Sequence, residues 1–170
     1  MENFREISAT ELESAIKMIG DDWMLITAYD EENKRANAMT ASWGALGVLW
    51  HKNVCICFVR PQRHTYKLLA EQKRFSIAFL PEQYREALKL CGTKSGRDLD
   101  KLEASGLSSL ECEGVPVVAE ADTLLICKKL YEDDIREGCF LESEAMATYS
   151  KLKDYHTFYI CEIEKIYKRN

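Results

Sequence analysis

Residues 54–80 read VCICFVRPQRHTYKLLAEQKRFSIAFL. Val54–Val59 is a continuous apolar run of the kind that forms a buried central strand. Arg60–His64, with Pro61 inside it, interrupts that run. The apolar residues of Tyr66–Lys73 then recur at helical spacing, with Thr65 placed to cap them. Arg74–Leu80 is strand-like again. Strand, helix, strand is also the unit of a parallel sheet, so the flanking sequence decides the fold.

Upstream, Trp23–Asp30 is strand-like and the polar Glu31–Arg35 is a turn. Asn37–Gly47 (NAMTASWGALG) is the returning strand. Nearer the N-terminus, Thr10 and Glu13 form a capping box. The helix they open carries Leu12, Ala15, Ile16 and Ile19 on one face and ends at Gly20. Downstream, Pro81 opens a helix that ends at Gly92, and Thr93–Asp98 is a loop. DLDKLEASG (98–106) is a short helix closing at Gly106. VPVVAEADTLLICKKLYED (115–133) holds one or two strands, and Asp154–Lys168 is a long final strand. There is no internal repeat, low-complexity tract or linker. Many strands with helices inserted between them predict one mainly-β domain over residues 1–170. An antiparallel barrel with helical excursions fits that order better than a doubly wound sheet.

The chain has 170 residues, a net charge of −5 and interspersed acidic and basic groups. That pattern gives no electrostatic footprint for nucleic acid. No apolar run is long enough to span a membrane, and the acidic, amphipathic N-terminus has no signal-peptide core. The expectation is a soluble cytoplasmic protein. Seven cysteines are present: Cys55, Cys57, Cys91, Cys112, Cys127, Cys139 and Cys161. Their number is odd and no C-x-x-C pair exists, so they read as small buried or semi-buried thiols in a reducing compartment. His51, His64 and His156 form no metal pattern. Ser42 has no nucleophile-elbow context.

FVRPQRHTYKLL (58–69) is the strongest local signal. A buried strand emerges into two arginines, then a helix start that offers free N–H groups and a positive dipole end. Arg60, Arg63 and the Thr65 hydroxyl would surround one point, a sensible phosphate site. The plainer reading is two solvated arginines and an ordinary cap. SGRD (95–98) is a second candidate: Gly96 permits close backbone approach and Asp98 can cap the helix carrying Lys101. A loop and a cap is its plainer reading. The G-x-G-x-x-G dinucleotide fingerprint is absent. In NAMTASWGALG, alternation puts Ala38, Thr40 and Ser42 on one face and Met39, Ala41 and Trp43 on the other. The first face is too small and polar for an ordinary core, and it leaves a slot for a flat polar heterocycle. A planar ring plus one phosphate is the shape of FMN.

At these residues the chain resembles the flavin reductase-like family of FMN-binding split barrels, and within it the flavoredoxin-type members. NAMTASWGALGVLW, CFVRPQRHTYKLL, LKLCGTKSGRDLDK and DYHTFYICEIEKIY carry the resemblance, in order, over residues 37–168. The resemblance implies an antiparallel six-stranded split β-barrel. It implies that Met39, Thr40, Ala41, Ser42 and Trp43 line the isoalloxazine. Val59, Arg60, Arg63, His64 and Thr65 would hold ring edge and phosphate, with Ser95, Gly96 and Lys101 near the cofactor. Asp154 and His156 would face the flavin entrance, with His156 as the catalytic candidate. His64 stands where many relatives carry Tyr, and Cys161 where many carry Gly. Homodimers with cofactor sites near the subunit interface are implied too. The expected activity is an NAD(P)H-dependent flavin reductase passing hydride from nicotinamide C4 to flavin N5, then electrons to a small-molecule or protein acceptor. The alternatives are an electron carrier with permanently bound FMN and no NAD(P)H site, and a non-redox flavin-binding module.

Overall fold

A computed structural model describes residues 1–170. Its strands are β1 (Phe4–Glu6), β2 (Met24–Asp30), β3 (Arg35–Ala41), β4 (Gly44–Leu49), β5 (Lys52–Val59), β6 (Arg74–Phe79), β7 (Ser109–Cys112), β8 (Val115–Val118), β9 (Thr123–Asp134) and β10 (Thr157–Arg169). Its helices are α1 (His64–Glu71), α2 (Arg85–Thr93), α3 (Lys101–Ala104) and α4 (Ser143–Ala147). The main sheet runs β3-β2-β6-β9-β10-β5-β4, with β1 added to β10, and every pairing is antiparallel. β5 and β6, the strands that flank α1, are not neighbours. The strand–helix–strand stretch is therefore no parallel unit, as its flanks predict.

The two edges of this sheet, β3 and β4, are consecutive in the chain and joined only by Ser42–Trp43. So short a link reaches on the order of 10 Å. The sheet must roll until its edges meet at that corner, yet β3 and β4 form no ladder with each other. That is a barrel split along one seam. The six expected strands become eight in the main sheet. One addition comes from the bend at Ser42–Trp43, which breaks the single strand expected over Asn37–Gly47. The other is β1, paired with Tyr167–Arg169. Gly44 opens β4 because a Cβ there would lie 2.6 Å from the Ile56 carbonyl oxygen and 2.8 Å from Met24 Cε. Register shifts in β10 at Ile160/Cys161 and Ile163/Lys165 help the sheet curl.

The rolled sheet packs on both sides. Met24, Ile26, Met39, Cys55, Cys57, Val59, Phe75, Ile77 and Tyr159 fill the barrel. Leu25, Ala36, Ala38, Ala78 and Leu124 point outward and are covered by Leu88 and Cys91 of α2, Leu102 of α3 and Val117 of β8. Six cysteines are buried and Cys139 is exposed. The run Val54–Val59 is buried on one face only. Cys55, Cys57 and Val59 enter the barrel, while Ile56 and Phe58 stay half-exposed on the outside.

The single α-helix expected from Thr10 to Gly20 does not form. Ser8 and Glu11 make the capping box of a short 3-10 turn (Ala9–Glu11), and a π-helix, with its wider turn, spans Lys17–Asp22 and runs past Gly20. Ile16 is exposed, while the adjacent Met18 and Ile19 both enter the core. An ordinary helical stripe through Leu12, Ile16 and Ile19 is incompatible with that. No helix is long and apolar enough to cross a membrane.

Candidate functional site

The corner at Ser42–Trp43 leaves a cleft of about 240 Å³. Met39, Thr40, Ala41, Ser42, Trp43, Phe58, Arg60, Arg63 and His156 line it. The small face of β3 has a different cause from the expected slot. Ala36 and Ala38 are buried beneath α2 and α3. The Thr40 hydroxyl donates to the Leu88 carbonyl at 2.6 Å, and Thr40 Cβ lies 3.4 Å from where a Gly92 side chain would begin. Small residues here let a helix sit close against the strand. The open part of the cleft begins at Ser42, which is exposed. Ala41 points the other way and packs on the barrel core.

The far end of the cleft is cationic. Arg63 donates to the Gly92 carbonyl at 2.6 Å and to the Cys91 carbonyl at 3.2 Å, and Lys101 Nζ donates to the same Cys91 carbonyl at 3.3 Å. Both therefore stand at the negative end of the α2 dipole. Arg60 pairs with Asp154 at 2.7 Å, and Gln62 binds the same carboxylate. Lys101 is only 3% exposed. Burial pulls its pKa down to about 8, and the neighbouring Arg63 adds to that. Burial likewise lowers Arg63, with Arg60 contributing. Of the three cations only Arg60 has a carboxylate partner, while Arg63 and Lys101 are held by carbonyl groups alone, so the corner is short of negative charge.

The other expected residues form the layer behind. Val59 is wholly buried in the barrel. Thr65 is the second residue of α1 rather than its cap, and its hydroxyl accepts from Asn37 Nδ2 at 2.8 Å. His64 Nε2 meets the buried Asp30 carboxylate at 2.6 Å. Burial would raise the Asp30 pKa, but hydrogen bonds from His64 and Asn33 outweigh it and hold the group at about 2. Ser95–Asp98 lies over the start of α1. Ser95 Oγ accepts from Arg97 N at 3.2 Å, and Arg97 reaches the Gln62 carbonyl at 3.3 Å. A Cβ on Gly96 would fall 2.0 Å from Asn37 Oδ1. The helix cap here is Asp100, not Asp98: it accepts from Leu102 N and Glu103 N.

His156 closes the outer side. Its ring lies 4.9 Å from Trp43 and 6.4 Å from Phe58, centroid to centroid. Burial, reinforced by Arg60 and opposed by Asp154, pulls its pKa down to about 4, so the imidazole is neutral near pH 7. Tyr149 Oη meets its Nδ1 at 2.7 Å. Sequence reasoning missed Phe58, Tyr149, Asn37 and Asp30. Phe58 was within reach of strand alternation, since it faces opposite Val59. No periodic signal marks the other three.

A larger groove, about 960 Å³, lies between the β2–β3 turn, α3 and the β7–β8 hairpin. Its basic side chains Lys34, Arg35, Lys73 and Arg74 are balanced by Glu31, Asp100, Glu103 and Glu111, and three of them are in ion pairs: Lys34 with Glu31, Arg35 with Asp100, Arg74 with Glu164. It is bigger but has no excess of positive charge for an anion, so the cleft at Ser42–Trp43 is the better candidate. No group of three or more His, Cys, Asp or Glu side chains is placed to hold a metal ion.

The family model for the flavin reductase like domain matches residues 19–170. No curated protein is detectably similar in sequence. Solved structures share the fold at low identity. The FMN-binding domain of a flavin reductase-like enzyme from Shewanella baltica OS155 is 16% identical with a TM-score of 0.70, over 98% of this chain and 78% of that one. Flavoredoxin of Desulfovibrio vulgaris (Miyazaki F) is 20% identical with a TM-score of 0.69, over 96% and 76%. An NADH:FAD oxidoreductase of Streptomyces globisporus, solved with NAD and FAD fragments, is 16% identical with a TM-score of 0.64, over 88% and 74%.

Proposed function

Because the chain belongs to the flavin reductase-like family, we propose that the cleft at Ser42–Trp43 binds the isoalloxazine ring of FMN and that Arg60, Arg63 and Lys101 bind its phosphate. The charge imbalance is the observation behind this reading. A buried lysine and a half-buried arginine that share carbonyl partners but no carboxylate are held at an electrostatic cost, which a phosphate dianion offsets. The start of α1 adds free backbone N–H groups nearby. Met39–Ser42 lie along the ring, and Trp43, Phe58 and His156 flank it. Val59, His64, Thr65, Ser95 and Gly96 support the cleft from behind.

When bound, FMN would supply the redox chemistry, as acceptor of hydride from NAD(P)H and donor of electrons to a small-molecule or protein acceptor. The chain's own residues bind, orient and shield. Arg63 and Lys101 fix the phosphate end. The aromatic walls limit water at the ring, and His156 stands neutral at the entrance.

A second copy of the chain completes the site. The cleft is below the roughly 300–1,000 Å³ of a self-contained ligand pocket. Its open side adjoins an uncovered apolar face, where Ile56, Phe58, Phe158 and Ile160 are half-exposed, Trp43 is 44% exposed and Tyr131 is 45% exposed. Helices cover only the other half of the sheet's outer surface. Contiguous bare apolar area of this kind marks an interface.

The test is consumption of NADH or NADPH by the protein loaded with FMN. Consumption that needs both protein and flavin is the expected result. Firm FMN binding without consumption points instead to an electron carrier of the flavoredoxin kind. Failure to bind FMN overturns the assignment.

A further inference from the structure

We propose that Tyr149 is a positioning residue: its hydroxyl donates to His156 Nδ1 and so presents the Nε2–H of His156, beside Trp43 at the cleft mouth, to the carbonyl-type oxygen of a second planar ligand that lies against the bound flavin. The ligand half of this inference rests on the reading of the cleft as the flavin site.

Tyr149 is the only buried residue between Glu132 and Tyr155, the excursion that links β9 to β10. Its ring packs on Phe140 at 5.8 Å and Tyr155 at 4.9 Å, with the Arg60 guanidinium 5.7 Å above it. One side chain thus anchors an otherwise exposed excursion to the cleft. Its hydroxyl lies 2.7 Å from His156 Nδ1.

The donor is decided by proton counting. Burial raises the Tyr149 phenol above its ordinary value, so it keeps its proton. The imidazole is neutral and has one donor and one acceptor nitrogen. If Nδ1 carried the proton, the buried phenol would lose its acceptor, a costly arrangement. Nδ1 therefore accepts, and the ring proton sits on Nε2. The charged groups facing this ring are Arg60, at the end of β5, and Asp154, two residues earlier. They pair with each other at 2.7 Å and so largely cancel. The uncharged walls are Trp43 and Phe58. Flat aromatic walls with one N–H donor suit a conjugated ring that bears an acceptor oxygen.

The first measurement is imidazole ¹⁵N NMR on the ¹⁵N-labelled full chain without flavin. Wild type should show His156 protonated at Nε2 and bare at Nδ1 near neutral pH. Tyr149→Phe keeps the ring packing and removes only the hydroxyl. It should give mixed tautomers and a His156 that protonates at higher pH. A wild-type proton on Nδ1, or an unchanged tautomer and titration in Tyr149→Phe, overturns the proposal. The second measurement uses benzamide, flat and redox-inert, titrated into FMN-loaded protein. Tyr149→Phe should weaken benzamide by about three- to tenfold, the worth of one neutral hydrogen bond, while FMN affinity is unchanged. Equal benzamide affinity in both proteins overturns the ligand contact. Loss of FMN binding by wild type instead strikes the flavin reading and leaves the tautomer result standing.

Discussion

Thr40 and Ser42 sit two residues apart on the same face of one chain segment, yet their surroundings differ. The Thr40 hydroxyl holds the Leu88 carbonyl at 2.6 Å, whereas Ser42 is exposed in the cleft. Thr40→Val should therefore lower stability by about 1 kcal/mol and leave FMN affinity intact, read by thermal melting beside a flavin titration. Arg63→Ala should weaken FMN about ten- to a hundredfold, since charged hydrogen bonds contribute roughly 1.5–3 kcal/mol each. Riboflavin, which lacks the phosphate, should bind almost as before. Equal losses for the two flavins would remove the phosphate assignment. Asp30 gives a pH test. Its carboxyl sits at about 2 against an ordinary 3.8, so the ionised form is favoured by the fold. That contribution is complete above about pH 4 and lost as pH falls towards 2. The melting temperature of wild type should drop through that window more steeply than that of Asp30→Asn. At this scale the arginines were legible because a strand running into a helix start places them. The partners of Thr65 and His64 were not, because Asn37 and Asp30 lie on the opposite hairpin and reach them only through the fold.

Elements were legible where alternation or helical spacing is strong, as in β2, β5, β6, α1 and β10. The break between β3 and β4 was hidden, since both halves keep strand composition and only the rolling of the sheet forces the bend at Ser42–Trp43. The N-terminal turns were hidden too, because tertiary packing of Met18 and Ile19 overrides a plausible helical stripe. The Ser95–Asp98 loop is the element whose fit is tightest. Gly96→Ala sets a Cβ 2.0 Å from Asn37 Oδ1 and 3.0 Å from His64 Cδ2. The loop must then lift, at a cost of about 1–3 kcal/mol. FMN affinity should fall with it, because the loop leads directly into the helix carrying Lys101. A Gly96→Ala protein with wild-type melting and flavin affinity would show that the loop has slack.

At the scale of the molecule, the rolled sheet explains why helices gather on one half of its outer face and leave the other bare. Strand count and the seam were beyond the sequence, but the mainly-β antiparallel order was within it. The bare half makes the protein's association state a direct readout. Ile160→Lys places a charge in the middle of that face, opposite Ile56. It should shift a homodimer to monomer in sedimentation velocity and loosen FMN, lowering monomer stability by no more than about 1 kcal/mol, since Ile160 is half-exposed. A wild-type monomer at micromolar concentration with full flavin occupancy would contradict the shared site.

Whether the Ser42–Trp43 cleft is the flavin seat is read by titrating FMN into wild type and Ser42→Leu, following quenching of flavin fluorescence on samples whose melting is recorded in parallel. Wild type should bind one FMN per subunit and Ser42→Leu none, with both proteins melting alike, because leucine fills the ring's place in an open cleft. A Ser42→Leu protein that melts early yet binds FMN with wild-type affinity when folded would contradict that assignment.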